Sequence, residues 1–394
     1  MPVLTATPYE AELQRIEDDI ESLGPGAIEP PIDVENATKY AHRLYQRASL
    51  NGDLRGLRAA ESAMDAVIPQ LQRGDDLLLL KASLCFKLHR LDGVRRIFAA
   101  RPDLCGTSEG RKLVADLHFQ EGRYREARQA YLDAIAEDRS WDNLARYAHY
   151  VGKFESAEAA DEIYAEAEEE LTSKQMRSFA WVELQRGVLD LERGRFDDAE
   201  VHYETAGRAY PGYWMVTEHQ AAILAQRGDV PAAAAMYEDL CRQVHKPELL
   251  QTLGALYRNM GDARRSQPYL DRALAAFEES AACGEVHYYH HLVDFHCEIT
   301  HDYREAIRWA VKDLDLRNNY NTQAALAWAL HRNGESEQAI RWLDEALNSG
   351  VQDAHLFAHA AAIYKAVGQQ SRADDYHHRS HALNSRPAGF HMHH

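Results

Sequence analysis

Histidine is concentrated in the last quarter of the chain, where 14 of its 21 copies lie between His287 and His394. The densest segment reads VHYYHHLVDFHCEITHDY over residues 286–303. If this segment forms one α-helix, one side carries apolar groups and the other carries ligand-type groups within about 100° of arc. The ligand-type residues are His287, His290, His291, Asp294, Glu298 and His301.

Imidazole and carboxylate groups at this spacing can converge on one metal ion. His287 and His291 are four residues apart, and Asp294 follows His290 by four. The pattern is compatible with a Zn, Ni, Cu or Mn site formed by His287, His290, His291 and Asp294, and it indicates no other cofactor.

Two other interpretations of these histidines remain open. The side chains can serve as hydrogen-bond partners for neighbouring helices, or they can form a surface that responds to pH, because imidazole titrates near neutrality. The terminal His391, His393 and His394 fit either a chelating tail or residues added to the natural chain.

A short repeated pattern indicates the elements that must position these side chains. A helical run is followed by a turn glycine and by a second helical run with Ala, an aromatic residue or Leu, and Ala at fixed spacing. The turn positions recur about every 34 residues, which is the period of tetratricopeptide repeats. The clearest copies are Gly122 with Ala127, Tyr131 and Ala134, Gly194 with Ala199, Tyr203 and Ala206, and Gly334 with Ala339, Leu343 and Ala346.

The first helices carry a matching pattern, with Leu253, Gly254 and Tyr257 in one copy. In these residues the chain resembles a bacterial tetratricopeptide-repeat protein with about ten repeats. The resemblance implies an all-α fold, a right-handed α-α superhelix (solenoid) of helix pairs. His89 and His301 stand where the turn glycine is usual, Gly152 is expected to be a turn glycine, and residues 278–285 are expected to form a longer connection.

The repeats divide the chain into three predicted parts. Residues 1–33 are expected to form an N-terminal helix and tail, residues 34–387 the array of about ten helix pairs, and residues 388–394 a His-rich C-terminal tail. No single pair has enough apolar surface to fold alone, so stacking of neighbours must build the core.

The composition limits the cellular compartments and the classes of partner that are compatible with this chain. The formal net charge is −18, and no basic stripe is visible, which argues against a nucleic-acid partner. No apolar run is long enough to span a membrane. The five scattered cysteines and the absence of a signal-like N-terminus favour free thiols in the cytoplasm.

The sequence favours a scaffold over an enzyme. It contains no phosphate-binding loop, no G-x-S-x-G elbow and no H-E-x-x-H, and the array leaves no segment for a catalytic domain. The leading hypothesis is a non-enzymatic cytoplasmic scaffold that holds a peptide or protein in its concave groove, with self-association left open. The alternative is a metal-binding protein that uses the His-rich helix.

The resemblance also indicates which residues would line the groove, because first helices face the concave side in such repeats. Aromatic and Arg side chains beside amides make a suitable recognition surface. The expected groove residues are Gln251, Arg258, Asn259, Tyr288, His291, Phe295, Glu298, Asn321, Trp328, His331, Arg332 and His355.

Overall fold

The computed structural model describes residues 6–385, and every regular element in that range is helical. The first half contains α1 (Pro8–Leu23), α2 (Val34–Asn51), α3 (Leu54–Val67), α4 (Asp75–Lys87), α5 (Leu91–Ala100), α6 (Ser108–Gln120), α7 (Tyr124–Glu137), α8 (Trp141–Phe154), α9 (Ala157–Glu169) and α10 (Met176–Glu192). Short 3-10 helices span Pro25–Ile28, Ile68–Gln70 and Pro102–Gly106.

The second half continues the same alternation of helices. It contains α11 (Phe196–Ala209), α12 (Trp214–Arg227), α13 (Val230–Gln243), α14 (Pro247–Asn259), α15 (Ala263–Ala282), α16 (Tyr289–Asp294), a π-helix (Phe295–Thr300), α17 (Tyr303–Leu316), α18 (Tyr320–Arg332), α19 (Ser336–Asn348), α20 (Ala354–Ala366) and α21 (Gln370–Leu383). The predicted solenoid of helix pairs is confirmed, with even-numbered first helices and odd-numbered second helices.

Small residues let the two helices of a pair approach closely. Gly254 of α14 faces Leu270 of α15, and a Cβ atom on Gly254 would lie 2.6 Å from a Leu270 methyl group. The second helices contribute the large buried side chains of Tyr203, Tyr237 and Phe277, which fill the space beside these crossings. Each pair therefore contributes one layer to a core that continues along the array.

Nine of the ten turns within pairs of residues 6–385 contain a residue with left-handed backbone, the exception being the turn between α8 and α9. Gly122 and Gly334 have φ of 73° and 84°. His89 and His301, predicted to replace glycine at this position, have φ of 58° and 57°, and they are the two non-glycine residues with positive φ among residues 6–385. Both histidines thus accept a backbone conformation that costs roughly 1–2 kcal/mol without glycine.

Three local expectations were wrong. Gly152 is not a turn residue, because it lies inside α8, where it packs against Ala160 and Leu189. The expected connection at 278–285 is mostly helix, since α15 continues to Ala282.

The third correction concerns the His-rich segment, which is not one regular helix. The α-helix α16 covers only Tyr289–Asp294 and passes into the π-helix Phe295–Thr300. His287 precedes the helix, and His301 follows it in a left-handed conformation. The six ligand-type residues consequently do not share one helical face, because the π-helix turns by fewer degrees per residue than the α-helix.

Successive turns of the superhelix touch each other. The C-terminal ends of the early first helices meet residues at the start of first helices about six pairs later, as for α6 with α18 and α8 with α20. We call this boundary the seam. Five hydrogen bonds to backbone carbonyls cross it, and they join Leu50 with Trp214, Lys87 with His287, Gln120 with Asn319, Lys153 with Gln352, and Glu192 with Asn384.

The seam satisfies backbone carbonyls that the helix ends leave without an intrahelical partner. The Trp214 indole N–H donates to the Leu50 carbonyl at 3.0 Å, and the Asn319 amide donates to the Gln120 carbonyl at 2.9 Å. The backbone N–H of Gln352 donates to the Lys153 carbonyl at 2.7 Å. The seam therefore caps helix ends while it joins the two superhelical turns.

None of the helices within residues 6–385 is both long and apolar enough to cross a bilayer. Residues 386–394, which include His391, His393 and His394, lie outside the described residues.

Candidate functional site

Three consecutive first-helix segments of the second half are joined by side chains at Glu298. Its carboxylate accepts a hydrogen bond from the Trp328 indole at 2.9 Å and another from the Arg332 guanidinium at 3.0 Å. Arg332 also donates to the Tyr303 hydroxyl at 2.9 Å. These contacts connect the π-helix to α18.

Trp328 continues the connection to the next repeat. Its ring stacks on His359 of α20 with centroids 3.7 Å apart and an interplanar angle of 1°. His355 lies one helical turn before His359, with ring centroids 4.1 Å apart. On the other side, the Arg332 guanidinium lies 5.5 Å from the Trp328 ring centroid, within reach of a cation–π interaction.

Arg258 joins α14 to the same surface. Its guanidinium donates to the carbonyl oxygens of Glu298 at 2.6 Å and Ile299 at 3.1 Å. These carbonyls belong to the last turn of the π-helix, where the chain bends toward His301. We call the set Arg258, Glu298, Trp328, Arg332 and His359 the ladder.

The ladder remains open to solvent at several points. The side chain of Glu298 is 52% exposed and that of Arg332 is 24% exposed, and Trp328 and His359 are half-buried. A partner could therefore contact this surface without unfolding any part of the array.

The structure separates the other expected groove residues into two groups. Gln251, Tyr288 and Phe295 are buried, with 7%, 6% and 2% of their surfaces exposed, so they pack between helices and do not belong to the accessible surface beside Glu298. The remaining members stay accessible or half-buried. They are Asn259 and Asn321, which are exposed, His331, which bonds Ser336 at 2.9 Å, His355 beside His359, and His291, which stacks on Phe277.

The four expected metal ligands are directed to different places. His287 lies in the seam against His89, with ring centroids 4.7 Å apart. His290 pairs with Asp294 at 3.3 Å, whereas His291 stacks on Phe277. Among residues 6–385, no three His, Cys, Asp or Glu side chains are arranged to hold a metal ion. The metal-site geometry expected from one regular helix is therefore not formed.

The pKa of His287 reflects its place in the seam. Burial lowers this pKa to about 4, and the positive charges of Lys246 and Arg317 act in the same direction, while Glu248 opposes them. Burial likewise lowers the pKa of His219, which is 1% exposed, to about 4. Both side chains are accordingly neutral at pH 7.

Acidification is expected to destabilise the fold between neutral pH and about pH 4. The folded-state pKa values of His219 and His287 lie near 4, below the ordinary 6.5, so the unfolded chain binds more protons in this range. The free energy of unfolding should therefore decrease as the pH is lowered, by up to roughly 3 kcal/mol for each histidine. Urea unfolding across this pH range measures the change.

A matched pair of variants assigns part of this pH dependence to the seam. His287→Gln keeps a donor for the Lys87 carbonyl and removes the titrating group, so it should reduce the pH slope by at most one proton. His378→Gln changes an exposed residue of α21 and serves as the matched control. An unchanged slope in His287→Gln would contradict the assignment.

Sequence reasoning missed the residues that hold the seam and one member of the ladder. Asn319, Gln352 and Asn384 contact residues almost 200 positions earlier, and helical periodicity carries no signal for such contacts. His359 could have been included, because its spacing of four from His355 was visible in the sequence.

Two segments match family models described as tetratricopeptide repeat, one at residues 184–244 and one at residues 321–345. No curated protein matches the sequence.

Three solved structures are similar at low sequence identity. The Cut9–Hcn1 hetero-tetramer of the APC/C shares 18% identity, with 96% of this chain and 80% of the other covered and a TM-score of 0.41. A tetratricopeptide repeat protein from Parabacteroides merdae shares 15%, with coverages of 70% and 93% and a TM-score of 0.36. A monomeric mutant of IFIT1 with m7Gppp-AAAA shares 13%, with coverages of 94% and 100% and a TM-score of 0.43. TM-scores this low do not establish a shared overall arrangement.

Proposed function

We propose that this chain, which contains tetratricopeptide repeats, is a non-catalytic scaffold that binds a peptide or protein along the ladder. The observation that carries the proposal is the Glu298 carboxylate, which fixes Trp328 and Arg332 on one surface shared by successive first helices. Fixed aromatic and guanidinium groups supply contact area at a small cost in conformational entropy.

The chemistry of the ladder favours an extended peptide with acidic and apolar side chains. The faces of Trp328 and His359 suit apolar contact, and Arg332 retains donor groups that can reach a carboxylate. Because the ladder crosses several helices, affinity would come from contacts spaced along the peptide rather than from a single pocket. The net charge of −18 disfavours a nucleic acid here, since phosphate binding depends on Lys and Arg.

The repeated helical make-up of residues 6–385 supports the non-catalytic part of the proposal. Within residues 6–385 the chain is a succession of helices that belong to the array or cap it. Its role in a cell would then depend on which partner the ladder selects, because a repeat fold alone does not determine function.

Trp328→Ala is expected to weaken partner binding at least tenfold, because tenfold corresponds to about 1.4 kcal/mol and a central Trp at an interface typically contributes about 2 kcal/mol or more. A partner would first be identified by affinity capture and then titrated as a purified protein by isothermal calorimetry. Trp342→Ala is the matched control, because Trp342 is a half-buried Trp on the second helix α19.

Equal affinity of the wild type and Trp328→Ala for the purified partner would contradict the proposal that the partner binds along the ladder. An equal loss in Trp342→Ala would place the partner on another surface. Recovery of an RNA, with no protein partner, would overturn the proposed partner class.

A further inference from the structure

A cavity of about 320 Å³ lies in the seam, outside the ladder. The first superhelical turn contributes the connection between α2 and α3 and the first residues of α3, from Gly52 to Arg58. The second turn contributes the loop before α14, the end of α15, and Tyr288. Any molecule that fills this cavity touches both turns at once.

Four cationic side chains line the cavity although the whole chain is acidic. Arg55, Arg58, Lys246 and Arg272 line the cavity together with two acidic residues, Asp53 and Glu279, so the lining carries four positive and two negative formal charges. The complete chain carries −18. The carboxylates of Glu285 and Glu248 offset two of these positive charges, so recognition of an anion depends on the remaining two arginines.

Two of the four cations are already engaged by well-placed carboxylates. Arg58 pairs with Glu285 at 3.2 Å, where Glu285 is only 15% exposed. Lys246 pairs with Glu248 at 3.5 Å and lies 5.1 Å from the Trp214 ring centroid. These contacts stabilise the wall of the cavity and leave the other two cations for a ligand.

Arg55 and Arg272 are the available cations. Arg55 contacts Glu279 at 3.4 Å, but the two side chains are 84% and 66% exposed, and exposed pairs of this kind contribute little. Arg272 is exposed and forms no ion pair with any of residues 6–385. A guanidinium group binds carboxylate or phosphate oxygens through two parallel hydrogen bonds.

Beside His245, Ser280 and two cysteines, the rest of the lining is mainly apolar and suits a small organic group. Leu54, Val244, Pro247, Leu250 and Tyr288 contribute side chains to the walls. The volume lies at the lower end of the range for small-molecule sites in proteins, roughly 300–1,000 Å³. The cavity therefore combines a polar recognition element with an apolar compartment.

We propose that this seam cavity binds a small organic anion, with its oxyanion group held by Arg55 and Arg272 and its apolar part held by Leu250 and Tyr288. Carboxylate and phosphate share the required chemistry. Because the ligand contacts both superhelical turns, it stabilises the closed seam by binding the folded state alone. The site is independent of the ladder, so loss of partner binding there leaves this inference unaffected.

The test titrates the full chain with benzoate, phenyl phosphate and phenol, which share a ring and differ in their polar group. Isothermal calorimetry and thermal unfolding report binding. Saturable binding of benzoate or phenyl phosphate, with a raised Tm and no effect of phenol, is the expected result. The tighter of the two anions identifies the preferred group.

Two arginine variants on the same helix make the test specific. Arg272→Ala should raise the Kd of the anion at least tenfold, whereas Arg264→Ala changes an exposed residue of α15 outside the cavity and should leave the Kd unchanged. Arg272→Glu serves as a second variant and should abolish binding, and circular dichroism checks that each variant is folded. Equal binding of phenol, absence of binding by both anions, or an unchanged Kd in Arg272→Ala would overturn the proposal.

Discussion

Replacing Trp214 with alanine is expected to lower the free energy of unfolding by about 3–5 kcal/mol. Trp214 is 5% exposed, packs against Gly52, and donates its indole N–H to the Leu50 carbonyl at 3.0 Å. The substitution removes a large buried side chain and leaves a helix-end carbonyl without its donor. Denaturant unfolding followed by circular dichroism measures the change.

Trp214→Phe separates the two contributions. The phenyl ring retains most of the packing but lacks the N–H donor, so the expected loss contains the hydrogen-bond contribution of about 0.5–1.5 kcal/mol and a smaller packing defect. Hydrogen exchange should accelerate in α2, α3 and α12 in the Ala variant, since these helices meet at this point of the seam. Destabilisation below 1 kcal/mol in Trp214→Ala would show that the seam contact is not formed in solution.

Gly122→Ala is expected to destabilise the protein by about 2–5 kcal/mol, through two effects that act at one position. Gly122 has φ of 73°, a conformation unfavourable for alanine. In addition, a Cβ atom there would lie 2.5 Å from the carbonyl oxygen of Asn318 across the seam. A backbone oxygen at the end of a packed segment cannot move aside as a flexible side chain could.

Gly334→Ala provides a matched control for the seam contribution. Gly334 occupies the same turn position with φ of 84°, but a Cβ atom there would meet nothing within 4 Å. Its expected cost is the backbone contribution alone, roughly 1–2 kcal/mol. Parallel thermal unfolding of both variants compares them directly, and equal losses would contradict the close approach at Gly122.

Local sequence patterns were sufficient to predict the helix pairs and their turns. The repeat placed His89 and His301 at the turn position although neither is glycine, and both have left-handed backbone in the structure. Gly152 was placed wrongly because a glycine that permits close helix packing looks the same in the sequence as a glycine that permits a turn. Residue type alone does not distinguish these two roles.

The candidate site was only partly predictable for a physical reason. The regular 100° spacing assumed for the His-rich segment fails after Asp294, where the backbone adopts the π-helix. Burial of Tyr288 and Phe295 depends on Phe277 of the preceding helix, which the segment itself does not reveal. Arg332 and Trp328 do meet Glu298, because contacts between neighbouring first helices follow the repeat.

The seam also limits how many repeats the chain can gain or lose. In most solenoids each repeat touches only its neighbours, so a repeat can be duplicated or deleted without disturbing distant ones. Here Gln120 and Lys153 meet Asn319 and Gln352 only because the intervening number of pairs is fixed. Deleting one helix pair from this stretch would place the start of a different first helix beside the carbonyls of Gln120 and Lys153. The number of helix pairs between these contacts is therefore fixed by the structure, and a change in that number would break several seam contacts together.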